Sequence, residues 1–313
     1  MGFAGQMNPI DVLGPKLGGV LSLPGVTDLL VNGYNQVWVQ RAGFGQDGPK
    51  LEPVASPFES EAELGQLAQS LIAQGGRHLD QANPFADVAL GVNATGGTQA
   101  VGGLRVHAAL ASGCNPNTHI SIRVHMNRHY GLGQLADFGM FDAQQQLQLQ
   151  EILQRKESFL ISGATGSGKT TLLRAMLAEC IGERIIALED VAELGLQSPN
   201  FVSLQTRQAN IEGRGEISLE RLVRESLRMR PDRLAVGEVR GIELLVMLQA
   251  LNTGHRGAGA TIHANSLADV MPRVNAIARN AGVDSQSVRE QMQSAFSWII
   301  HVDSHKVVQI AKL

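Results

Sequence analysis

Residues 159–171 read Phe159-Leu160-Ile161-Ser162-Gly163-Ala164-Thr165-Gly166-Ser167-Gly168-Lys169-Thr170-Thr171. An apolar run feeds a glycine-rich turn that ends in Lys169 and Thr170, and a helical pattern follows over residues 170–180. This is the spacing G-x-x-x-x-G-K-[ST], set between a strand and a helix as a phosphate-binding loop requires. Glycines let the chain curl until successive N–H groups point inward at phosphate oxygens, and the helix adds the positive end of its dipole. Gly163, Thr165, Gly166, Ser167, Gly168, Lys169, Thr170 and Thr171 are the candidate nucleotide-binding residues. Lys169 would reach the β- and γ-phosphates, and the Thr170 hydroxyl would complete a Mg²⁺ shell. The loop says nucleotide, not what is done with it.

Downstream, helices read at 144–154, 170–180, 218–229 and 242–251 alternate with short apolar strands at 159–162, 184–188 and 234–236. The third helix stops before Pro231. Such alternation predicts a mostly parallel sheet covered on both faces. Upstream the character differs. A Gly- and Pro-rich opening leads to strands at 26–33 and 37–40 around an Asn-Gly turn, an amphipathic helix at 59–74, and strands at 103–108 and 119–124. The fold expected is therefore α/β: a smaller N-terminal α/β domain over 1–135, a short linker to about 143, and a P-loop domain of RecA-like type over 144–313. The boundary falls in the glycine-containing stretch 127–143.

Composition narrows the classes. The 313 residues are 43% hydrophobic and 18% charged, enough for two globular cores. A formal net charge of -3 lacks the basic excess of a protein that grips nucleic acid over its whole surface, so no stable nucleic-acid binding is expected. Cys114 and Cys180 are the two cysteines, too few for a disulfide framework or a four-cysteine zinc site and read as core thiols in a reducing compartment. No apolar run approaches the roughly 18 residues needed to cross a bilayer. The expectation is a cytoplasmic protein that meets a membrane only through a partner.

The strand at 184–188 ends in Glu189-Asp190, with Glu193 close behind. In an open parallel sheet the carboxyl ends of strands face the ligand, so these acids are candidates to hold Mg²⁺ or water. The run from Arg230 to Glu238 delivers a second strand ending in a carboxylate. It resembles a Walker B strand with glycine after the apolar stretch, and Glu238 is suited to orient or deprotonate an attacking water. His255 and His263 stand eight residues apart near another strand, without the companions a metal site needs. Arg207, Arg214, Arg221, Arg224, Arg228, Arg230, Arg233 and Arg240 crowd one stretch. Glu220 with Arg224 and Arg221 with Glu225 read as helix-surface pairs, and the others include candidate arginine fingers.

With these motifs in place the chain resembles the secretion-superfamily ATPases, specifically the CpaF/TadA type of tight-adherence (Flp) pilus systems, and is similar to the conjugative type IV secretion ATPases. The matching residues are the loop Gly163 to Thr170, the acids Glu189, Asp190 and Glu193, the run Arg228 to Gly241, and Asn252 to His255 with Thr261 to Ser266. Nearly the whole chain is covered. The resemblance implies a hexameric ring whose subunits pair an N-terminal α/β domain with a RecA-like domain, ATP lying between them. It assigns Glu238 as the Walker B acid and Glu189 and Asp190 to an acidic box that serves catalysis and metal binding. His255 and His263 fall in a histidine box at the γ-phosphate, and Arg105 and Arg123, with Arg207 a weaker candidate, serve as nucleotide-contacting arginines. Little chain precedes the strand at 26–33, so the helical extension of many relatives is expected to be missing or minimal. The four-cysteine zinc element of type II enzymes is absent.

The function implied is Mg²⁺-dependent ATP hydrolysis that powers Flp-type pilus assembly or related protein secretion. The machine would sit at the inner face of the cytoplasmic membrane against an inner-membrane platform protein. The alternatives are a conjugative ATPase moving DNA or effector protein, and a nucleotide-gated scaffold with little turnover. A small-molecule kinase would leave the histidine box unexplained.

Overall fold

The computed structural model describes residues 9–23, 25–41, 50–90, 101–113, 115–126, 130–207 and 214–313. Cys114 lies outside the described residues. The chain divides into two compact units, one drawn from residues 1–128 and 209–214 and the other from residues 129–208 and 215–313.

The first unit runs α1 (Pro9–Leu21), β1 (Val26–Asn32), β2 (Val37–Arg41), β3 (Leu51–Val54), α2 (Glu61–Gln74), β4 (Phe85–Leu90), β5 (Val101–Ala109) and β6 (His119–Met126). The strands form one antiparallel sheet in the order β3-β2-β1-β6-β5-β4. A positive φ of 86° at Gly33 turns the chain between β1 and β2. The Ser60 side chain caps α2 by accepting from the Glu63 N–H, and Leu64, Ala68, Leu71 and Ile72 bury the helix's inner face. A short helix, α1, precedes β1. It is bent where Gly14 takes φ 73° beside Pro15. Leu13 and Leu17 are fully buried, and burial of each contributes about 1.5–3 kcal/mol, which outweighs the poor helix propensity of glycine and proline.

The second unit runs α3 (Leu132–Asp137), α4 (Ala143–Gln154), β7 (Phe159–Gly163), α5 (Lys169–Ala178), β8 (Ile185–Glu189), β9 (Phe201–Gln205), α6 (Leu219–Ser226), β10 (Arg233–Val239), α7 (Glu243–Asn252), β11 (Gly259–His263), α8 (Val270–Asn280), α9 (Ser285–Ala295), β12 (Trp298–Asp303) and β13 (Lys306–Lys312). Its sheet has the order β13-β12-β7-β11-β10-β8-β9. Every neighbouring pair is parallel except β12 with β13. Strands β7 and β8 are buried at all five positions, as a sheet flanked by helices on both faces demands. α6 gives way to a single 3-10 turn, and Arg230 leaves it at φ 56°, one residue before Pro231.

At the amino ends of these strands Arg233, only 1% exposed, donates to both Glu183 carboxylate oxygens at 3.1 Å and to the Leu153 carbonyl at 2.6 Å. It is a buried structural cation and not a finger. Arg224 pairs with Glu220 at 3.0 Å as expected, while Glu225 is met by Arg228.

Candidate functional site

Parallel strands place their carboxyl ends at one edge, and the loop between β7 and α5 occupies it. Gly163 packs so closely that a Cβ there would fall 2.2 Å from the Val302 carbonyl oxygen. Gly166 and Gly168 take φ values of 74° and 101°, backbone that side chains resist. No side chain caps the start of α5, so the first-turn N–H groups remain to face an anion. Thr165 is exposed, and Thr170 and Thr171 are half-buried in that first turn. Lys169 folds back, its Nζ donating to the Ala164 carbonyl at 2.7 Å. Burial lowers its pKa, against the opposing charges of Glu238 and Glu193.

β10 brings the carboxylate. Its register against β11 slips between Val236 and Val239, a bulge at Gly237-Glu238 of the kind that re-aims a side chain. Thr261 pins the bulge by donating to the Gly237 carbonyl at 2.6 Å. Glu238 Oε2 accepts from Arg240 Nη2 at 2.7 Å, and Oε1 lies 3.1 Å from His263 Nε2. Burial opposes ionisation of Glu238. The Arg240 hydrogen bond and the charges of Arg240, His263 and Lys169 outweigh it and hold the carboxyl below its ordinary range. His263 is opposite Gly163 in the ladder. Burial, then the charge of Lys169, lowers its pKa, leaving a neutral imidazole at pH 7 beside an ionised glutamate. A cavity of about 580 Å³ opens here, lined by Glu238, Arg240, His263, Asn265, Asp269 and Arg273.

The other acids divide. Glu189 is 2% exposed. Its Oε1 accepts the N–H groups of Glu193 and Leu194, both at 2.9 Å, and Ser203 Oγ stands 3.5 Å from Oε2. Burial pushes its pKa up to about 7. Oε1 thus serves the turn that follows β8, and Oε2 faces β9. Asp190 is likewise engaged, accepting from Thr206 at 3.1 Å and from Arg240 at 3.3 Å, so it braces the arginine. Glu193 is the acid of this group whose charge acts on Lys169.

Among the described residues no cluster of three or more metal-ligating side chains occurs. The donors at the loop nevertheless fit Mg²⁺, a hard cation that takes few protein ligands beside phosphate and water. Thr170 offers a hydroxyl, and the buried Oε1 of Glu238 has no hydrogen-bond partner among the described residues. These two residues would hold it, beside the expected Glu189 and Asp190.

The remaining expectations are separated from the loop or belong to the other unit. His255 precedes β11, its Nδ1 3.2 Å from the Ala250 carbonyl at the end of α7. His263 ends the same strand, so the five-residue β11 stands between them, roughly 16 Å of extended chain. Arg207 donates from Nε to the Gly215 carbonyl at 2.7 Å and bridges to Ile217, held by its own loop. Arg105 and Arg123 lie in the first unit, paired with Asp87 at 3.7 Å and Asp28 at 3.0 Å. Sequence reading missed Arg273 and Asp269, because only the fold brings α8 over the cavity. It had no ground for ranking Glu193 above Glu189, since both sit in one acidic run.

A parallel sheet with a phosphate loop on β7, a carboxylate on β10 and β11 between them defines the class: a P-loop nucleoside-triphosphatase domain joined to an antiparallel α/β unit. A family model described as "Type II/IV secretion system protein" matches residues 104–307. A protein of Mycobacterium tuberculosis H37Rv described as "Putative conjugal transfer protein" is 40% identical over 284 residues, covering 90% of this chain and 78% of its own. The conjugal transfer protein TrbB of Rhizobium radiobacter is 28% identical, covering 94% and 84%. The Legionella pneumophila ATPase DotB shares the fold, with a TM-score of 0.63 at 20% identity over 96% of this chain and 78% of its own. The chain belongs to the type II/IV secretion system family of ATPases. Within that family the similar proteins carry conjugal-transfer names, so the resemblance to the tight-adherence branch gives way to the coarser membership. Among the described residues no helix is long and apolar enough to cross a membrane.

Proposed function

We propose that the protein is a Mg²⁺-dependent ATPase that works as a homo-hexameric ring against an inner-membrane platform protein. It would power export of the conjugative, type IV kind in preference to Flp-pilus assembly. The observation that carries hydrolysis is Glu238, ionised and bulged out of β10 beside a neutral His263 and within the field of Lys169. Hydrolysis of a γ-phosphate needs an oriented water and charge stabilisation more than covalent help. The first-turn N–H groups of α5 and Lys169 bind and orient the phosphates. Glu238 positions the water and takes its proton, while the Arg240 hydrogen bond fixes the carboxylate. When bound through Thr170 and Glu238, Mg²⁺ would neutralise phosphate charge. The conjugal-transfer names of the similar proteins favour the choice of branch.

The test is steady-state ATPase activity, with and without Mg²⁺, as a function of protein concentration. Specific activity that rises as rings assemble and vanishes without Mg²⁺ supports the motor. Negligible turnover at every concentration would favour a nucleotide-gated scaffold. With a net charge of -3, added DNA leaves turnover unchanged, because the work is done on the export apparatus.

A further inference from the structure

The reactive end of the site lies on one side of β7, where β11 carries His263 and β10 carries Glu238. The phosphates of a nucleotide on the loop run toward these residues, so its nucleoside end leaves on the other side of β7. β12 stands there, parallel to β7, and turns into β13 at the loop's edge. That turn is Asp303-Ser304-His305-Lys306, with φ of 48° at Ser304 and 62° at His305. Two successive positive φ values suit Asn-Gly or Gly-Gly in a tight hairpin, and bulkier residues adopt them at a cost.

The turn is keyed to the loop. The His305 N–H donates to the Ser167 carbonyl at 3.1 Å, and the Val307 N–H donates to the Met140 carbonyl at 2.7 Å. Gln145 Nε2 donates to the Val307 carbonyl at 2.9 Å. The imidazole stands beside Gly168, its Nδ1 3.3 Å from where a Cβ on that glycine would be. It is exposed. We propose that the β12–β13 turn is the nucleoside end of the ATP site, with the His305 imidazole packing on the purine base. The proposal rests on the ATPase reading and adds the residue that distinguishes a nucleotide from bare polyphosphate. The turn's backbone, already fixed by these hydrogen bonds, needs no further ordering when a base stacks on the exposed ring.

His305→Gly removes the ring and keeps a residue suited to positive φ. The experiment is calorimetric titration of wild type, His305→Gly and Lys169→Ala with ATP, ADP and inorganic tripolyphosphate, alongside thermal midpoints. In His305→Gly the Kd for ATP and ADP is expected to rise about five- to tenfold, the scale of one aromatic contact. Its tripolyphosphate Kd and thermal midpoint stay as in wild type. Equal weakening for tripolyphosphate would mean the turn only props the loop and would overturn the proposal, as would an unchanged Kd for ATP. Lys169→Ala is expected to lose all three ligands. ATP binding that survives this change overturns the nucleotide site itself, an outcome distinct from failure at His305.

Discussion

Glu238 and Glu189 are both glutamates at the ends of neighbouring strands, and their surroundings give them opposite tasks. Glu238 has Arg240, His263 and Lys169 around it and stays ionised, so Glu238→Gln should leave binding of Mg²⁺-free ATP intact and lower kcat by about 10² to 10⁴, the scale of a positioned acid–base group. Calorimetry and phosphate release measured on one preparation check this, and an unchanged kcat would remove Glu238 from the chemical step. Glu189 is held at about 7 by burial. Between the ordinary carboxylate range and pH 7 the unfolded chain has lost this proton while the folded chain keeps it. Stability therefore falls as pH rises through that window, by on the order of 3 kcal/mol, and is flat above it. Glu189→Gln should abolish this part of the pH dependence in urea unfolding between pH 4.5 and 8. A mutant that kept the wild-type slope would place the titration elsewhere.

At the scale of elements, the loop between β7 and α5 was legible because its chemistry is local: Gly163, Gly168 and Lys169 are needed for backbone curl and charge whatever lies around them. A contrast between two glycines tests the curl. Gly163→Ala would thrust a methyl 2.2 Å from the Val302 carbonyl and should cost more than the roughly 1–3 kcal/mol of ordinary overpacking, together with nucleotide binding. At Gly182 φ is 81° with nothing within 4 Å, so Gly182→Ala should cost about 1 kcal/mol and leave turnover alone. Thermal midpoints and activity of the pair decide the matter, and equal losses would refute close packing as the cause. The strands and helices that carry the P-loop, Glu189 and Glu238 were read within a few residues, since apolar runs bounded by charge need no tertiary information. β9 and β13 were not, because exposed positions interrupt their pattern and pairing with a neighbouring strand makes them strands; β12, buried over Ile299 to Val302, was also not read. Fold alone decides that His255 and His263 lie at opposite ends of β11, and that Glu189 turns inward while Glu193 acts on Lys169. Nine residues of sequence contain both histidines without saying that one precedes the strand and the other ends it.

For the whole molecule, the unresolved quantity is which chain supplies the arginines that meet a nucleotide. Arg105 and Arg123 are half-exposed and pair with Asp87 and Asp28 across the surface of the first unit. Such pairs are worth about 0–1 kcal/mol, so changing either to alanine should barely move the thermal midpoint. A fall in kcat at constant Tm then marks a role at the phosphates, where an arginine contributes about 10³ to 10⁵ in rate. Mixing separates service within one chain from service to a neighbour. Arg105→Ala and Glu238→Gln proteins, each inactive alone, are combined and allowed to exchange subunits. If the arginine acts on the adjacent subunit's nucleotide, some interfaces in mixed rings join an intact Arg105 from the Glu238→Gln chain to an intact Glu238 from the Arg105→Ala chain. Activity then returns to a fraction of wild type that follows the mixing ratio and peaks near equal amounts. If both residues serve the nucleotide of their own chain, no interface is complete and the mixture stays as inactive as its components.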